Sequence, residues 1–341
     1  MDKKIVLAVA GAGKTTELLN KLNLSQKTLI ITYTESNYMN IKNEIILKFK
    51  KVPDNIHIFK YFTFMYRECF LPFKANLDVN GIEFKPNLNR YLNDSKLDYF
   101  YSKDTKKIYH CRIAKFCHKN FFHHIRDRME KYYDLLLIDE FQDFAGHDFN
   151  FIEKILTINL KICIYGDFYQ HTFNTSNDGC VNKNLYNSYG KFIKRIEDLK
   201  LVEIDTNSLI KSKRCSENVC KFISDKLKIN IESYFQKSTE VIEIFDNESI
   251  ESIIENHKII KLFYENNVKY NIFNKDNWGN SKGNTYTDVC VVLNKKTFKL
   301  YLENKLEELP QSTKNKLYVA FSRPTRNLYI INQELLKKYL K

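Results

Sequence analysis

The chain has 341 residues, of which 43% are apolar and 14% aromatic, and it carries a formal net charge of +13. This length and composition suffice for two domains with packed cores and exclude a largely disordered chain. The positive charge favours a polyanionic partner, with nucleic acid as the first candidate. No apolar run approaches the roughly 18 residues of a membrane span. Eight cysteines without the spacing of a disulfide framework predict free thiols, so we expect a cytoplasmic protein.

The segment "IVLAVAGAGKTTELLNKL" predicts a strand, a tight loop of small residues and a helix that begins near Lys14. Residues 8–15 match the Walker A pattern G-x-x-x-x-G-K-[ST], except that Ala8 replaces the first glycine. Small residues let backbone N–H groups surround phosphate oxygens at a helix N-terminus, where the helix dipole favours an anion. We expect Lys14 to reach the β- and γ-phosphates and Thr15 to bind Mg²⁺. The residues expected to bind the nucleotide are Ala10, Gly11, Ala12, Gly13, Lys14, Thr15 and Thr16.

Two further predicted strands end in polar side chains. In "LLLIDEFQDF", an apolar strand is followed by Asp139 and Glu140, the arrangement of a metal-binding Walker B acid and a residue that polarises the attacking water. In "KICIYGDFYQ", the strand is followed by G-D-x-x-Q, and the amide of Gln170 can sense a γ-phosphate because it both donates and accepts hydrogen bonds. The sequence therefore predicts hydrolysis of ATP with Mg²⁺ held by Thr15 and Asp139.

In this order, the three motifs resemble those of the UvrD/Rep-like helicases of superfamily 1. The resemblance implies an α/β fold of two RecA-like P-loop domains with parallel sheets, ATP in the cleft between them and single-stranded DNA across the top. "LIKSKRCSENVCKFI" resembles the segment whose arginine reaches the γ-phosphate, here Arg214. "KLYVAFSRPTRNLYII" resembles the last motif, which implies an arginine finger at Arg323 after Ser322. "WGNSKGNTYTDVCVVL" resembles the lysine–glycine motif, with Ser281, Lys282, Gly283 and Asp288 at the matching positions and Gly283 expected at the nucleotide.

The same resemblance implies contacts with single-stranded DNA. "IITYTESNY" places Thr32, Tyr33 and Thr34 at a strand-contact segment, "YFTFMY" adds Thr63 and Phe64, and Phe173 and Lys282 stand at two further contact positions. Aromatic faces stack on bases without reading them, which suits a translocase. Core packing is the alternative for each aromatic ring.

Several positions depart from the family pattern. Thr175 and Ser176 replace a base-stacking Trp and the Arg that follows it, Gly279 replaces a histidine, and Thr285 replaces a ribose-binding glutamate. Only four residues precede the strand that starts at Ile5, so we expect no upstream glutamine motif for reading adenine. These departures predict weak base and sugar recognition beside intact phosphate chemistry.

We expect residues 1–200 to form the first RecA-like domain, with a small, mostly helical insertion near 66–130, and residues 205–341 to form the second. Fewer than 70 residues separate Arg214 from Lys282, so the large accessory domain of processive relatives is expected to be absent. Residues 103–131 contain nine Lys or Arg against three Asp or Glu. This segment is either a groove that follows phosphates or a solvated helical face. Its His and Cys residues match no usual zinc spacing, so a structural zinc is the lesser alternative.

The function expected from these patterns is an ATP-driven translocase or helicase on single-stranded DNA, or a DNA-dependent ATPase. The alternative is a nucleotide-driven regulatory subunit that controls a partner protein, such as a co-encoded nuclease, in bacterial anti-phage defence. A P-loop kinase of a small metabolite explains the Walker A loop but leaves Gln170 and Arg323 without a purpose.

Overall fold

The computed structural model describes residues 2–75, 77–85, 91–172, 180–237 and 239–341. The chain packs as two compact units. The first contains residues 1–6, 15–166 and 173–205, and the second contains residues 7–14, 167–172 and 206–341. The phosphate loop and the segment after Gly166 thus belong to the second unit, although most of the strand before the loop and all of the strand before the segment belong to the first. Within the described residues, no helix is long and apolar enough to cross a membrane.

Strands and helices alternate along much of the chain. The strands are β1 Lys3–Leu7, β2 Thr28–Thr32, β3 Ile56–Lys60, β4 Ile82–Glu83, β5 Tyr101–Ser102, β6 Lys107–Tyr109, β7 Leu135–Ile138, β8 Lys161–Gly166, β9 Glu203–Asp205, β10 Lys211–Ser212, β11 Glu232–Ser233, β12 Val241–Ile244, β13 Ile259–Phe263, β14 Lys275–Asn277, β15 Asp288–Leu293 and β16 Leu328–Asn332. The α-helices are α1 Lys14–Asn20, α2 Glu35–Phe49, α3 Tyr61–Phe64, α4 His110–Asn120, α5 Phe122–Tyr132, α6 Gly146–Ile155, α7 Tyr189–Glu197, α8 Glu217–Leu227, α9 Asn247–Glu255, α10 Lys295–Leu302 and α11 Gln311–Phe321.

The first unit is built on a six-stranded sheet with the order β3-β2-β7-β8-β1-β9. The pairings of β2 with β3 and β7, of β7 with β8 and of β1 with β9 are parallel. Every residue of β2 and β7 is buried, as expected for parallel strands covered on both faces. Because β7 and β8 are parallel, the residues that follow these two strands begin at the same end of the sheet.

The insertion contains more than helices. A π-helical turn, Met65–Phe70, is followed by a three-stranded sheet with the order β4-β6-β5 and then by α4 and α5. Buried Arg112 of α4 holds this region together, because its guanidinium lies 3.4 Å from the centre of the Tyr99 ring and donates to the Tyr99 carbonyl. The expected mostly helical insertion therefore carries a small sheet as well.

The second unit is built on a five-stranded sheet with the order β12-β16-β15-β13-β14, in which every adjacent pair is parallel. The fold class predicted from the sequence, two RecA-like α/β domains with parallel sheets, is confirmed. One apolar core of this unit surrounds buried Trp278 and includes Ala8, Val9, Ala10 and Ala12 of the phosphate loop. The loop is therefore part of the core of the second unit.

Candidate nucleotide site and nucleic-acid interface

The phosphate loop has backbone geometry that only glycine adopts easily. Gly11 has φ +75° and Gly13 has φ +92°, and α1 begins at Lys14 directly after them. Both values lie in or near the left-handed region, where a Cβ atom is disfavoured. Lys14 and Thr15 are half-buried and Thr16 is exposed. The predicted strand, small-residue loop and helix therefore occur where the sequence placed them.

Gly11 also permits a close approach by the segment that carries Arg214. A Cβ atom built on Gly11 would lie 2.7 Å from the Arg214 Cβ and 2.8 Å from the Ser212 Oγ. The Lys213 N–H donates to the Gly11 carbonyl at 2.9 Å. The Arg214 guanidinium donates to the Ser322 carbonyl at 3.2 Å, its one hydrogen bond to the described part of the chain. Arg214 is thus held against the phosphate loop with most of its N–H groups available for a phosphate.

A chain of hydrogen bonds joins the phosphate loop to Gln170. The Ala10 N–H donates to the Tyr318 hydroxyl at 2.8 Å, and this hydroxyl lies 3.2 Å from the Asp167 Oδ2. The Gln170 amide donates to the same Asp167 oxygen at 2.7 Å. All four residues are buried, and burial, followed by the nearby Asp167 charge, raises the pKa of Tyr318 well above its usual value. The network fixes the orientation of the predicted γ-phosphate sensor.

Tyr318 did not emerge from the sequence. It lies in the apolar run of α11, where "KLYVAF" has the pattern of core packing. Its partner at Ala10 is 308 residues away along the chain. Only the fold brings its hydroxyl to the phosphate loop.

Arg323, the predicted arginine finger, is enclosed. Its guanidinium donates to the Val319 carbonyl at 2.8 Å, the Asn284 carbonyl at 3.1 Å and the Ser322 Oγ at 3.1 Å. Burial, together with the charge of Arg214, lowers the pKa of Arg323 to about 9. A phosphate contact by this side chain requires that these bonds first be released. Of the two arginines predicted to reach the γ-phosphate, Arg214 is therefore the one with available donors in this conformation.

The acidic pair after β7 has an unusual backbone. Asp139 is buried, and its N–H donates to the Ile31 carbonyl at 2.9 Å. Glu140 has φ +55° in the left-handed region, which is uncommon for a residue with a side chain and recurs at functional sites. The Gln142 amide donates to the Glu140 carboxylate. Thr15 and Asp139 both belong to the first unit, and their hydroxyl and carboxylate oxygens are hard ligands of the kind that Mg²⁺ prefers.

The lysine–glycine motif combines structural and accessible positions. Ser281 is buried and donates to the Trp278 carbonyl at 2.7 Å, and Asp288 pairs with Arg326. Gly283 is exposed with φ +86° and has no atom within 4 Å of a Cβ built on it. Lys282 is half-buried. Gly283 and Lys282 are therefore the positions of this motif that remain accessible to a ligand.

Two of the residues predicted to contact nucleic acid in the first unit, Tyr33 and Thr63, line one aromatic cleft. The cleft has a volume of about 680 Å³ and is lined by Tyr33, Glu35, Lys60, Phe62, Thr63, Tyr66, Arg67, Ile82 and Phe84. The Phe84 ring is 60% exposed and stacks on His110, with 5.3 Å between ring centres. Tyr33 and Thr63 are thus at an accessible surface. Thr34 is half-buried beside them, whereas Thr32 is fully buried.

Phe64 does not belong to this surface. Its side chain is fully buried, so the prediction that it contacts DNA is wrong, and Phe62 lines the cleft instead. The two rings lie in the short helix α3, where residues two positions apart face different sides. Phe173, together with Thr175 and Ser176, lies outside the described residues.

The basic segment 103–131, which the structure describes throughout, is largely paired with acids. The ion pairs join Lys103 to Asp98, Lys106 to Asp78, Lys115 and Lys119 to Asp94, Arg126 to Asp127, and Arg128 to Glu68. Pairs this exposed stabilise little, but they reduce the net charge that a phosphate chain would meet. This arrangement favours a solvated face over a continuous phosphate groove.

Comparison with known proteins gives a family and a fold. A family model for the viral superfamily 1 RNA helicase core domain matches residues 104–332. The structure is similar to that of the arterivirus helicase, nonstructural protein 10, in complex with DNA: TM-score 0.51, 15% identity, 98% of this chain covered. A second arterivirus nonstructural protein 10 structure has a TM-score of 0.48, 16% identity and 98% coverage of this chain. The chain spans 63% and 62% of these two proteins. Among curated proteins, no sequence relative was found.

Proposed function

This chain belongs to the viral superfamily 1 RNA helicase core family, and from that premise we propose that it is an ATPase that moves along single-stranded nucleic acid. The observation that carries the proposal is the buried path from Ala10 through Tyr318 and Asp167 to Gln170. Such a path couples the phosphate loop to a residue that senses the γ-phosphate. A motor needs this coupling, because binding and loss of one phosphate must change the conformation.

In the proposed mechanism, the loop from Ala10 to Gly13 and the ammonium of Lys14 hold the nucleotide phosphates, and Gly283 borders the nucleotide. Thr15 and Asp139 would hold Mg²⁺, which would supply neutralisation of charge on the β- and γ-phosphates. Glu140 accepts the proton of the attacking water.

Two side chains report the γ-phosphate in this proposal. Gln170 hydrogen-bonds to it, and the available N–H groups of Arg214 stabilise the charge that develops during transfer. Arg323 donates to the backbone carbonyls of Val319 and Asn284 and holds them in place, and it acts as an arginine finger only if its enclosing hydrogen bonds open.

For the nucleic acid, we propose that the aromatic cleft of the first unit stacks bases through Tyr33 and Phe84, with Thr63 at the sugar–phosphate backbone. In the second unit, Lys282 is the residue proposed to contact a phosphate. Stacking on aromatic faces tolerates any base, as translocation requires. More specifically, we propose that the chain translocates along single-stranded DNA as UvrD/Rep-like helicases do. The arterivirus helicase structure contains DNA, whereas the matching family model describes RNA helicases, so both polymers belong in the test.

The test is steady-state ATP hydrolysis by the purified chain with Mg²⁺, alone and with single-stranded DNA or RNA. We expect either polymer to raise the rate severalfold, and we expect Lys14→Ala and Glu140→Gln to abolish hydrolysis in every condition. Lys21→Ala is the matched control, because Lys21 lies at the end of α1 and pairs with Glu17 on the surface. A wild-type rate that neither polymer changes would refute the motor function of the isolated chain.

A second candidate is the regulatory subunit that drives a partner protein, such as a nuclease in anti-phage defence. The observation that favours it is the neutralisation of the basic segment 103–131 by neighbouring acids, which leaves a weaker track for phosphates. In that case a co-encoded protein, not DNA or RNA, would stimulate hydrolysis. The same assay separates the two functions when the partner is added in place of nucleic acid.

A further inference from the structure

Beside the phosphate loop, the second unit carries a pair of aromatic side chains at its surface. Tyr234 and Phe235 follow β11, and their rings are 58% and 43% exposed with 4.9 Å between ring centres. They line a pocket of about 490 Å³ together with Glu217, Lys221, Ser233 and Gln236. Two adjacent exposed rings in a concave site are unusual, because aromatic side chains gain free energy when they are buried.

The Lys213 side chain lies between this pocket and the phosphate loop. The Lys213 Nζ lies 5.5 Å from the centre of the Tyr234 ring. The same nitrogen is 3.5 Å from the position of a Cβ built on Gly13. A single lysine head group therefore bridges the loop and the ring. In a nucleoside triphosphate, the ribose and the α-phosphate separate the base from the β-phosphate. This separation is comparable to that between the phosphate loop and the Tyr234 ring.

The backbone around Tyr234 is fixed. The Tyr234 N–H donates to the Ser212 carbonyl at 2.8 Å, and β10 pairs with β11 immediately before it. Ser212 is also the residue that approaches Gly11 most closely after Arg214. The Tyr234 ring thus follows the paired strands β10 and β11, and Ser212 of β10 contacts the phosphate loop.

We propose that Tyr234, supported by Phe235, is the platform on which the nucleotide base stacks. This inference rests on the proposed ATPase function and names a base site that the sequence motifs lack. The side chains that could read base edges, Glu217 and Gln236, are exposed. Strong base discrimination requires buried polar groups that a wrong base leaves unpaired. The site therefore takes nucleoside triphosphates with little preference between adenine and guanine.

The test compares the binding of ATP with that of inorganic tripolyphosphate, which has the phosphates but no base, by calorimetry with Mg²⁺. We expect Tyr234→Ala to weaken ATP binding about 5- to 140-fold, the range of one lost base–aromatic stack. Tripolyphosphate binding is expected to stay unchanged. Tyr234→Phe is expected to preserve both affinities, because the ring face remains. Phe235→Ala is expected to weaken ATP binding selectively but less.

The matched control is Tyr91→Ala, which removes an 86% exposed tyrosine from the first unit. Fluorescence of the single tryptophan, buried Trp278, verifies that each variant is folded. The inference is overturned if Tyr234→Ala changes neither affinity or both equally, or if ATP and GTP differ by more than about 100-fold in wild type. The ATPase proposal itself fails if wild type binds neither ligand, or if Lys14→Ala changes neither affinity.

Discussion

Replacement of Gly11 by alanine tests whether the phosphate loop and the Arg214 segment really touch. The new Cβ would lie 2.7 Å from the Arg214 Cβ and 3.3 Å from its backbone nitrogen. Neither atom is the end of a flexible side chain, so the backbone must move. Gly13→Ala provides the comparison, because its Cβ would meet only the end of the Lys213 side chain, at 3.5 Å or more.

The magnitudes follow from two separate costs. A left-handed φ costs an alanine about 1–2 kcal/mol, and this applies to both glycines. Steric overpacking adds about 1–3 kcal/mol at Gly11 alone. We therefore expect Gly11→Ala to lower the free energy of unfolding by about 2–5 kcal/mol and Gly13→Ala by about 1–2 kcal/mol. Gly190→Ala is the control, since it lies in helix α7 with no atom within 4 Å of its Cβ, and it should stabilise slightly.

Urea unfolding followed by Trp278 fluorescence is the assay. Trp278 is the single tryptophan and lies in the core that contains the phosphate loop, so it reports on the relevant unit. The displaced Arg214 should also reduce kcat for ATP by about 100-fold, the effect of a shift of about 1 Å in a catalytic group. Equal stability losses for Gly11→Ala and Gly13→Ala would refute the close approach.

Three further perturbations test other parts of the structure. Tyr318→Phe should lower the free energy of unfolding by about 1–3 kcal/mol and lower kcat, because the buried Ala10 N–H loses its acceptor. An unchanged kcat would show that this hydroxyl has no part in hydrolysis. Burial raises the pKa of Asp148 to about 8, above its unfolded value near 3.9, so wild type should lose stability as pH rises between about 4 and 8. Denaturation of Asp148→Asn should show a flatter pH dependence in that window, and parallel profiles would contradict the assignment. Phe84→Ala should weaken binding of a labelled single-stranded nucleic acid, whereas Phe273→Ala, which removes a 67% exposed ring beside His257, should not. Equal effects of the two substitutions would contradict the proposal that the cleft binds nucleic acid.

Local signals in the sequence identified the phosphate loop and the two polar strand ends. A glycine-rich turn before Lys14 and acids after an apolar strand depend on neighbours within a few residues, so a pattern can show them. Those patterns also predicted a superfamily 1 helicase, and the family match confirms the superfamily.

Contacts between distant segments could not be predicted in the same way. "YFTF" contains three aromatic residues without an amphipathic period, so nothing in it tells that Phe64 is buried and Phe62 lines the cleft. The sequence could not decide whether the basic segment 103–131 is a phosphate groove or a solvated face, because its neutralising partners, such as Glu68 and Asp78, lie outside it. The net charge of such a segment can be judged only when the fold shows which acids lie beside it.

The inclusion of residues 7–14 in the second unit has a consequence for the order of events during synthesis. The ribosome makes Ala8 and Val9 roughly 200 residues before Cys215, the first residue beyond the phosphate loop in the core into which they pack. At about 5–20 residues per second, this apolar stretch waits on the order of 10–40 s for its partners. A chain truncated to residues 206–341 would expose the cavity that these small side chains normally fill.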